Sequence, residues 1–272
     1  MSEALAVKPA EPVLLREDKG AVAWLTLNRP AQRNSLSEGL MTALTGELSR
    51  LASDRSIRAV VIAANGTAFS SGHDLKELTA RRADADRGRA YFQKIMRQCS
   101  TMMQAIVRLP KPVIARVQGV ATAAGCQLVA SCDLAIAGEH AQFATPGVNI
   151  GLFCSTPMVA LSRNVSRKHA MEMLLTGDMI DAAHAADIGL INRVVPDADL
   201  DAAVDELTSK IVSKSALTVS IGKEAFYEQI EKGLSDAYDY ASEVMVTNML
   251  ARDAEEGIGA FIEKRDPEWE DR

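Results

Sequence analysis

The segments Phe69-Ser70-Ser71-Gly72-His73-Asp74-Leu75 and Gly119-Val120-Ala121-Thr122-Ala123-Ala124-Gly125-Cys126-Gln127-Leu128 each follow a short apolar run and lead into a helical pattern. A helix N-terminus presents main-chain N–H groups without intrahelical partners, and such groups stabilise negative charge. Two of them aimed at one point would form an oxyanion hole, lowering the barrier of a reaction that builds charge on a carbonyl oxygen. Taken singly, each segment is equally an ordinary strand–turn–helix joint. The small residues of the second also suit a helix packed tightly on a sheet.

The elements that must position these groups can be read on either side. Ala59–Ala64 is too short and apolar for a surface helix and is closed by Asn65-Gly66, as a buried strand ending in a turn would be. Asp74 and Glu77 stand at capping-box spacing before Leu75 and Leu78, which predicts a helix starting near Asp74. Gly72 allows a backbone conformation closed to other residues and leaves the His73 N–H free to face a cleft. Pro112–Val117 reads as a second buried strand. After Gln118-Gly119, the small side chains of Ala123, Ala124 and Gly125 permit a close approach of main chain to ligand.

Further out, Val13–Arg16 and Ala21–Leu27 flank Lys19-Gly20 as an edge hairpin. A helix over Ser37–Ala52 has Ser37 as its cap and Leu40, Leu44 and Leu48 on one face. Thr79–Arg89 is highly charged and predicts a solvated, mobile stretch. A long amphipathic helix then leads to Pro110-Lys111-Pro112. This alternation of strand and helix indicates parallel crossover units and an α/β fold. Beyond Pro196 the pattern turns wholly helical, with segments Asp199–Ser213, Ser215–Gln229, Ser235–Leu250 and Asp253–Lys264. The change divides the chain into a core over 1–195 and a helical region over 196–272. Met245 and Met249, at i,i+4, read as core packing.

Composition narrows the function. With 272 residues and 47% apolar content, the chain can bury a large core. A formal charge of −6 with 4% aromatics is unlike a nucleic-acid surface, which needs a basic footprint and stacking residues. No apolar stretch approaches the ~20 residues of a membrane span. Residues 1–9 have neither a secretory h-region nor an Arg-rich leader composition, from which a cytoplasmic protein is expected. Cys99, Cys126, Cys132 and Cys154 form no C-x-x-C pair and no zinc pattern, so they read as reduced thiols and no metal is expected. His140, His169 and His184 stand isolated, with His169 and Glu172 sharing a helix face. Neither a P-loop nor G-x-G-x-x-G is present, which argues against a nucleoside triphosphate or dinucleotide.

Taken together the two helix-opening segments resemble those of the crotonase superfamily, the enoyl-CoA hydratase/isomerase family. Leu27-Asn28-Arg29-Pro30, Arg33-Asn34-Ser35-Leu36, Ser131–Ala137, Phe143–Gly147, Met173–Gly177, Ala186–Ile191 and Glu256–Phe261 extend the likeness from about Val13 to Arg265. The runs Phe69–Leu78, Ala124–Asp133 and Gly151–Pro157 look most like one branch of it. The resemblance implies a spiral of repeated ββα units with a C-terminal helical trimerisation region, assembled as a homotrimer or a dimer of trimers. It implies an acyl-CoA thioester as ligand, with coenzyme A arriving as part of the substrate and no separate cofactor.

Carried over by position, the resemblance makes the main-chain N–H groups of His73 and Ala124 the oxyanion donors, within the loops Ser71–Lys76 and Ala124–Gly125. Arg33, Ser71, Asp74, Leu75, Lys76 and Gly125 fall on the substrate path. Phe261 and Lys264 fall on a C-terminal pair that can reach a neighbouring subunit's site. Hydratases of the family hold water between two glutamates, and here those positions are Gln127 and Gly147. A third position, acidic in relatives with other reactions, is Ser155. Glutamine cannot take a proton at neutral pH, and glycine has no side chain to do so. Of the remaining cleft candidates, Cys126, Thr145, Asn149, Cys154 and the His73 ring, only the ring has an ordinary pKa near neutrality, ~6.5. The expectations are an enzyme of lyase or isomerase class with an unidentified proton carrier, or a protein that binds acyl-CoA without turnover.

Overall fold

The computed structural model describes residues 11–272, and the first of them form the expected hairpin. Strands β1 (Leu14–Lys19) and β2 (Val22–Leu27) run antiparallel with Leu14 opposite Leu27. Helix α1 (Glu38–Ser53) starts where the Ser37 hydroxyl accepts from the Leu40 N–H at 3.2 Å. It buries Leu40, Leu44, Leu48 and Leu51 along one face.

Three strand–strand–helix units follow. The first is β3 (Ala59–Ala64), β4 (Ala68–Ser70) and α2 (Leu75–Ala80), separated from the next by the long helix α3 (Arg89–Arg108). The second is β5 (Val113–Val117), β6 (Val120–Thr122) and α4 (Ala124–Ser131). The third is β7 (Leu134–Gly138), β8 (Gln142–Ala144), a 3₁₀ turn at Pro146–Ile150 and α5 (Pro157–Asn164). Helix α6 (Arg167–Thr176), β9 (Ile180–Asp181), α7 (Ala182–Asp187) and β10 (Arg193–Val195) complete the layer.

The first strand of each unit joins one sheet and the second strand joins another. The orders are β1-β2-β3-β5-β7-β10 and β4-β6-β8-β9. Apart from the β1–β2 hairpin, every pair in the larger sheet is parallel. Covered on both faces, β3 is buried at every residue, which explains its continuous apolar run.

Helix α8 (Leu200–Val212) closes the back of the larger sheet, where Leu200 and Val204 meet Val22, Trp24, Val61, Ile114 and Ile136. Helix α9 (Ala216–Gln229) is tied to the core by a buried polar knot. The Lys223 ammonium donates to Asp133 Oδ2 at 2.7 Å and to the Lys111 and Ile106 carbonyls, while Tyr227 Oη donates to Asp133 Oδ1 at 2.9 Å. Burial holds the Lys223 pKa below its usual value, although Asp133 opposes the shift.

Helices α10 (Leu234–Met249) and α11 (Arg252–Glu263) end the chain's regular structure. Met245 and Met249 are 61% and 55% exposed, contrary to the core packing expected of them. Their i,i+4 spacing fixed a shared helix face but not what that face meets. Leu234, Tyr238, Val246, Leu250, Phe261 and Ile262 are exposed as well.

Three smaller expectations change. Residues 79–87 are exposed, yet Arg81 and Arg82 lie over the rings of Tyr91 and Phe92. His140 is not isolated, since its Nδ1 lies 2.7 Å from Asp197 Oδ2, and the His169 and His184 rings are 6.1 Å apart. These pairs join residues too far apart in the chain to show as a local pattern. All four cysteines are buried and unpaired. Among the described residues no helix is long and apolar enough to cross a membrane.

Candidate active site

The two segments singled out in the sequence meet through Gly72. Its φ of +87° lies in the left-handed region, and a Cβ there would stand 2.9 Å from Ala123 Cβ and 3.1 Å from the Ala124 nitrogen. Strands β4 and β6 pair in parallel beneath them, with Ala68 opposite Val120 and Ser70 opposite Ala121. Gly125 packs so closely that a Cβ on it would overlap the Ser70 carbonyl oxygen. Ala123 takes φ +51°, ψ −120°, a costly conformation for alanine, and its N–H donates to the Ala144 carbonyl at 2.9 Å.

The loop's hydrogen bonds leave particular donors over. Ser71 N–H donates to the Arg33 carbonyl at 3.0 Å, Leu36 N–H to Gly72 at 2.7 Å, and Asp74 N–H to Leu36 at 3.3 Å. Among the described residues the His73 N–H between them has no acceptor. The Ala124 N–H also has none, because it opens α4 and Ala123 supplies no side-chain cap. Two free donors therefore lie on either side of the Gly72 contact.

Asp74 holds this arrangement. Its Oδ1 accepts from the N–H groups of Lys76 and Glu77, and its Oδ2 accepts from Arg29 Nη2 at 3.0 Å and Ser35 Oγ at 3.1 Å. Burial pushes the carboxyl pKa up, but these hydrogen bonds outweigh it and hold the pKa below its usual value. The reciprocal half of the capping box does not form: Glu77 Oε2 accepts from the Glu38 N–H at 3.0 Å. Arg29 and Asn34 were not recognised as site supports. Asn34, fully buried, accepts from the Arg29 N–H and donates to the Asn65 and Ala68 carbonyls, stapling two loops. In the sequence they stand only within Leu27–Pro30 and Arg33–Leu36, because their partners lie some thirty to forty-five residues away.

The other candidates sort by position. Gln127 sits one turn into α4, buried to 5% exposure, and its Oε1 has no protein partner. Thr145 is fully buried at the end of β8, and its Oγ1 has none either. Gly147 is not an open slot: a Cβ there would meet the Leu152 carbonyl oxygen at 2.7 Å and Cys154 Sγ at 2.9 Å. Ser155 is exposed, with its hydroxyl turned to the Phe153 carbonyl.

Both ring nitrogens of His73 are buried without a partner, and burial lowers the ring's pKa below 6.5, so the imidazole is neutral at neutral pH. Burial pushes the Cys126 thiol up to about 12, and the Cys154 thiol is raised too, which removes thiolate chemistry near neutrality. Leu75 is half exposed. Arg33 and Lys76 are exposed, and among the described residues neither makes an ion pair. Phe261, 84% exposed, and Lys264 are not brought to this cleft within one chain, since α11 packs on α9 and α10. A groove of about 630 Å³ between α1 and α3 and one of about 490 Å³ beside Lys223 lie away from the paired donors and include none of these residues.

The sequence profile of the enoyl-CoA hydratase/isomerase family matches residues 17–272. The chain belongs to that family. A relative in Xenopus laevis, enoyl-CoA hydratase domain-containing protein 3, mitochondrial, is 46% identical over 95% of this chain and 86% of its own length. A solved structure of an enoyl-CoA hydratase from Mycobacterium smegmatis superposes with a TM-score of 0.91 at 53% identity, covering 95% of this chain and 99% of that one. The human enoyl-CoA hydratase domain-containing protein 3 structure gives 0.90 at 46% identity, covering 94% and 100%. These likenesses place the chain in that branch, the one its Phe69–Leu78 run resembles, and identify the fold as the crotonase spiral of ββα units with a C-terminal helical region.

The expected cytoplasmic location is corrected by the same comparison. The relatives from Xenopus laevis, Homo sapiens and Danio rerio are all named mitochondrial, which points away from the cytoplasm. The expectation rested on the lack of a leader composition in residues 1–9, which lie outside the described residues. An absence of that kind carries no location.

Proposed function

We propose that this chain binds acyl-CoA thioesters with the carbonyl oxygen between the main-chain N–H groups of His73 and Ala124, stabilising enolate-like charge there. The observation that carries this reading is the pair of free donors on either side of Gly72. One such donor is typically worth ~3 kcal/mol to a transition state. The donor at 124 is main-chain, so alanine supplies it as well as glycine would, with its methyl narrowing the slot. Arg33 and Lys76, exposed beside the loop and without ion pairs, suit the phosphates of coenzyme A, which enters as part of the ligand and not as a separate cofactor.

Hydration is not efficient in this reading. Gln127 occupies one of the family's glutamate positions, and the other, Gly147, is filled by the chain's own Leu152 and Cys154. Gln127, Gly147 and Ser155 carry no carboxyl, the Asp74 carboxylate is taken up by Arg29, Ser35 and the loop N–H groups, and among the described residues the nitrogens of the neutral His73 ring have no side-chain partner. The packing at Gly147 favours the second reading as well, in which acyl-CoA is held without turnover. Calorimetry with acetyl-CoA, crotonyl-CoA and a long-chain acyl-CoA tests the shared claim. Binding below millimolar levels for at least one is expected, and none at all would refute it.

The same proposal includes assembly as a trimer or a dimer of trimers. An amphipathic helix has to cover its apolar stripe, and Leu234, Tyr238, Val246, Leu250 and Phe261 are uncovered in one chain. Phe261 and Lys264 would then reach the site of a second copy. Light scattering at micromolar concentration should give at least three times the chain mass of 29.2 kDa, and a monomer mass would contradict it.

A further inference from the structure

We infer that the arginine loop between α2 and α3, residues 81–89, docks an acidic carrier protein that presents its acyl group as a thioester on a pantetheine arm. The partner is new, and the inference rests on the acyl-CoA reading above. From Arg81 to Arg97 the chain has six cations and two acids, in a protein whose formal charge is −6. Among the described residues only one of the six forms an ion pair, Lys94 with Glu38. Arg81, Arg82, Arg87 and Arg89 are all exposed.

The fold gathers these four arginines onto one small surface. Asp84 N–H donates to the Arg81 carbonyl at 3.0 Å, and Arg87 N–H donates to the Asp84 carbonyl at 2.8 Å. Gly88 brings the chain back to its start: its φ is +87°, and a Cβ there would stand 2.9 Å from the Arg81 carbonyl oxygen and 2.8 Å from the Phe92 ring. Compact surface loops with close ends are frequently functional. Asp86 is engaged by main chain and not by an arginine, since Oδ1 accepts from the Gly88 N–H at 2.9 Å and Oδ2 from the Ala90 N–H at 2.8 Å. The Arg81 guanidinium lies 4.8 Å over the Tyr91 ring and that of Arg82 lies 5.7 Å over Phe92. Stacking of this kind orders the two side chains in advance and lowers the entropy cost of binding through them.

Chemistry and position choose the partner. A planar guanidinium presents a fork of donors that matches a carboxylate, and four of them without acids to pair with repel one another until an acidic surface meets them. Helix α2 begins one residue after Asp74 and has six residues, about 9 Å of helix. The loop therefore stands one short helix from the His73 donor, and a protein seated on it lies beside the cleft that would take its thioester. A membrane-binding element combines basic residues with apolar ones that enter the lipid. None of the large apolar side chains exposed among the described residues falls between Lys76 and Arg97, which favours a protein over a lipid surface.

Calorimetry on the full-length protein with butyryl-CoA, with an acyl carrier protein bearing a butyryl group, and with the same carrier lacking its arm decides the matter. The butyryl carrier should bind, and more tightly than the armless form. Arg82→Glu combined with Arg87→Glu should weaken it at least about tenfold while changing butyryl-CoA binding by less than about twofold, which also shows the variant to be folded. Binding of butyryl-CoA without binding of the butyryl carrier, equal affinity for the two forms of the carrier, or a loss shared equally by carrier and butyryl-CoA would overturn the inference and leave the acyl-CoA reading intact. Phosphatidylglycerol vesicles that bind the wild type and not the variant, with no binding of the carrier, would assign the loop to a membrane and overturn it as well. Failure of both butyryl ligands to bind would overturn the acyl-CoA reading and this inference with it.

Discussion

Wild-type protein should hydrate crotonyl-CoA far more slowly than the ~10 s⁻¹ common among enzymes, and Gly147→Glu should not repair it. General acid and base groups contribute typically 10²- to 10⁴-fold each, so on the proposed reading, with Gln127 and Gly147 at the two acid/base positions, most of the rate is lost. Restoring a carboxylate at 147 fails on packing. The first carbon of any side chain there meets the Leu152 carbonyl oxygen at 2.7 Å and Cys154 Sγ at 2.9 Å, so the Leu152–Cys154 loop must move before a carboxylate can reach the cleft. Gly147→Glu should therefore lower the melting temperature without raising turnover, whereas Gln127→Glu alone introduces its carboxylate with little change in shape. Stopped-flow loss of the enoyl absorbance, with a thermal melt of each variant, checks this. A wild-type rate of ~10 s⁻¹ or more would show that another residue carries the proton.

Gly125→Ala should be among the most damaging single-methyl changes in the chain. The new carbon would overlap the Ser70 carbonyl oxygen, a main-chain atom in β4 that cannot swing aside as a side-chain tip can. Overpacking in a close-packed core typically costs 1–3 kcal/mol, and a clash with main chain belongs at the upper end, about 3 kcal/mol. The same push drives α4 away from β4 and so separates the Ala124 donor from the His73 donor. Urea unfolding should show a lower midpoint with little change in slope, and acyl-CoA binding should fall in parallel. Wild-type stability together with wild-type binding would mean that this contact does not set the spacing of the two donors.

The elements most visible in the sequence were those with a long period or a strong punctuation mark. Leu40, Leu44 and Leu48 marked α1, Lys19-Gly20 marked the hairpin, and the four C-terminal helices fell within a few residues of their expected bounds. Strands β4, β6 and β8 have three residues each, too few to display an alternation, so the second sheet came only through family resemblance. The loop glycines and the Asp74 cap were readable because local geometry demands particular residues there. The grip of Arg29 and Ser35 on Asp74, and of Lys223 and Tyr227 on Asp133, was not, because each joins segments distant in the chain. Gly147 shows the same limit from the other side. The resemblance reads Gly147 as a position where relatives carry a carboxylate, but that Leu152 and Cys154 pack against it is visible only in the fold.

The most direct measurement is the infrared carbonyl band of an acyl-CoA carrying ¹³C at the thioester carbon, recorded free and bound to the wild-type protein. A carbonyl accepting from both the His73 and Ala124 N–H groups is polarised, so the isotope-edited band should move to lower frequency on binding. Bound ligand whose carbonyl band stays at its position in water would contradict the account, because the thioester would then lie outside the reach of the two donors.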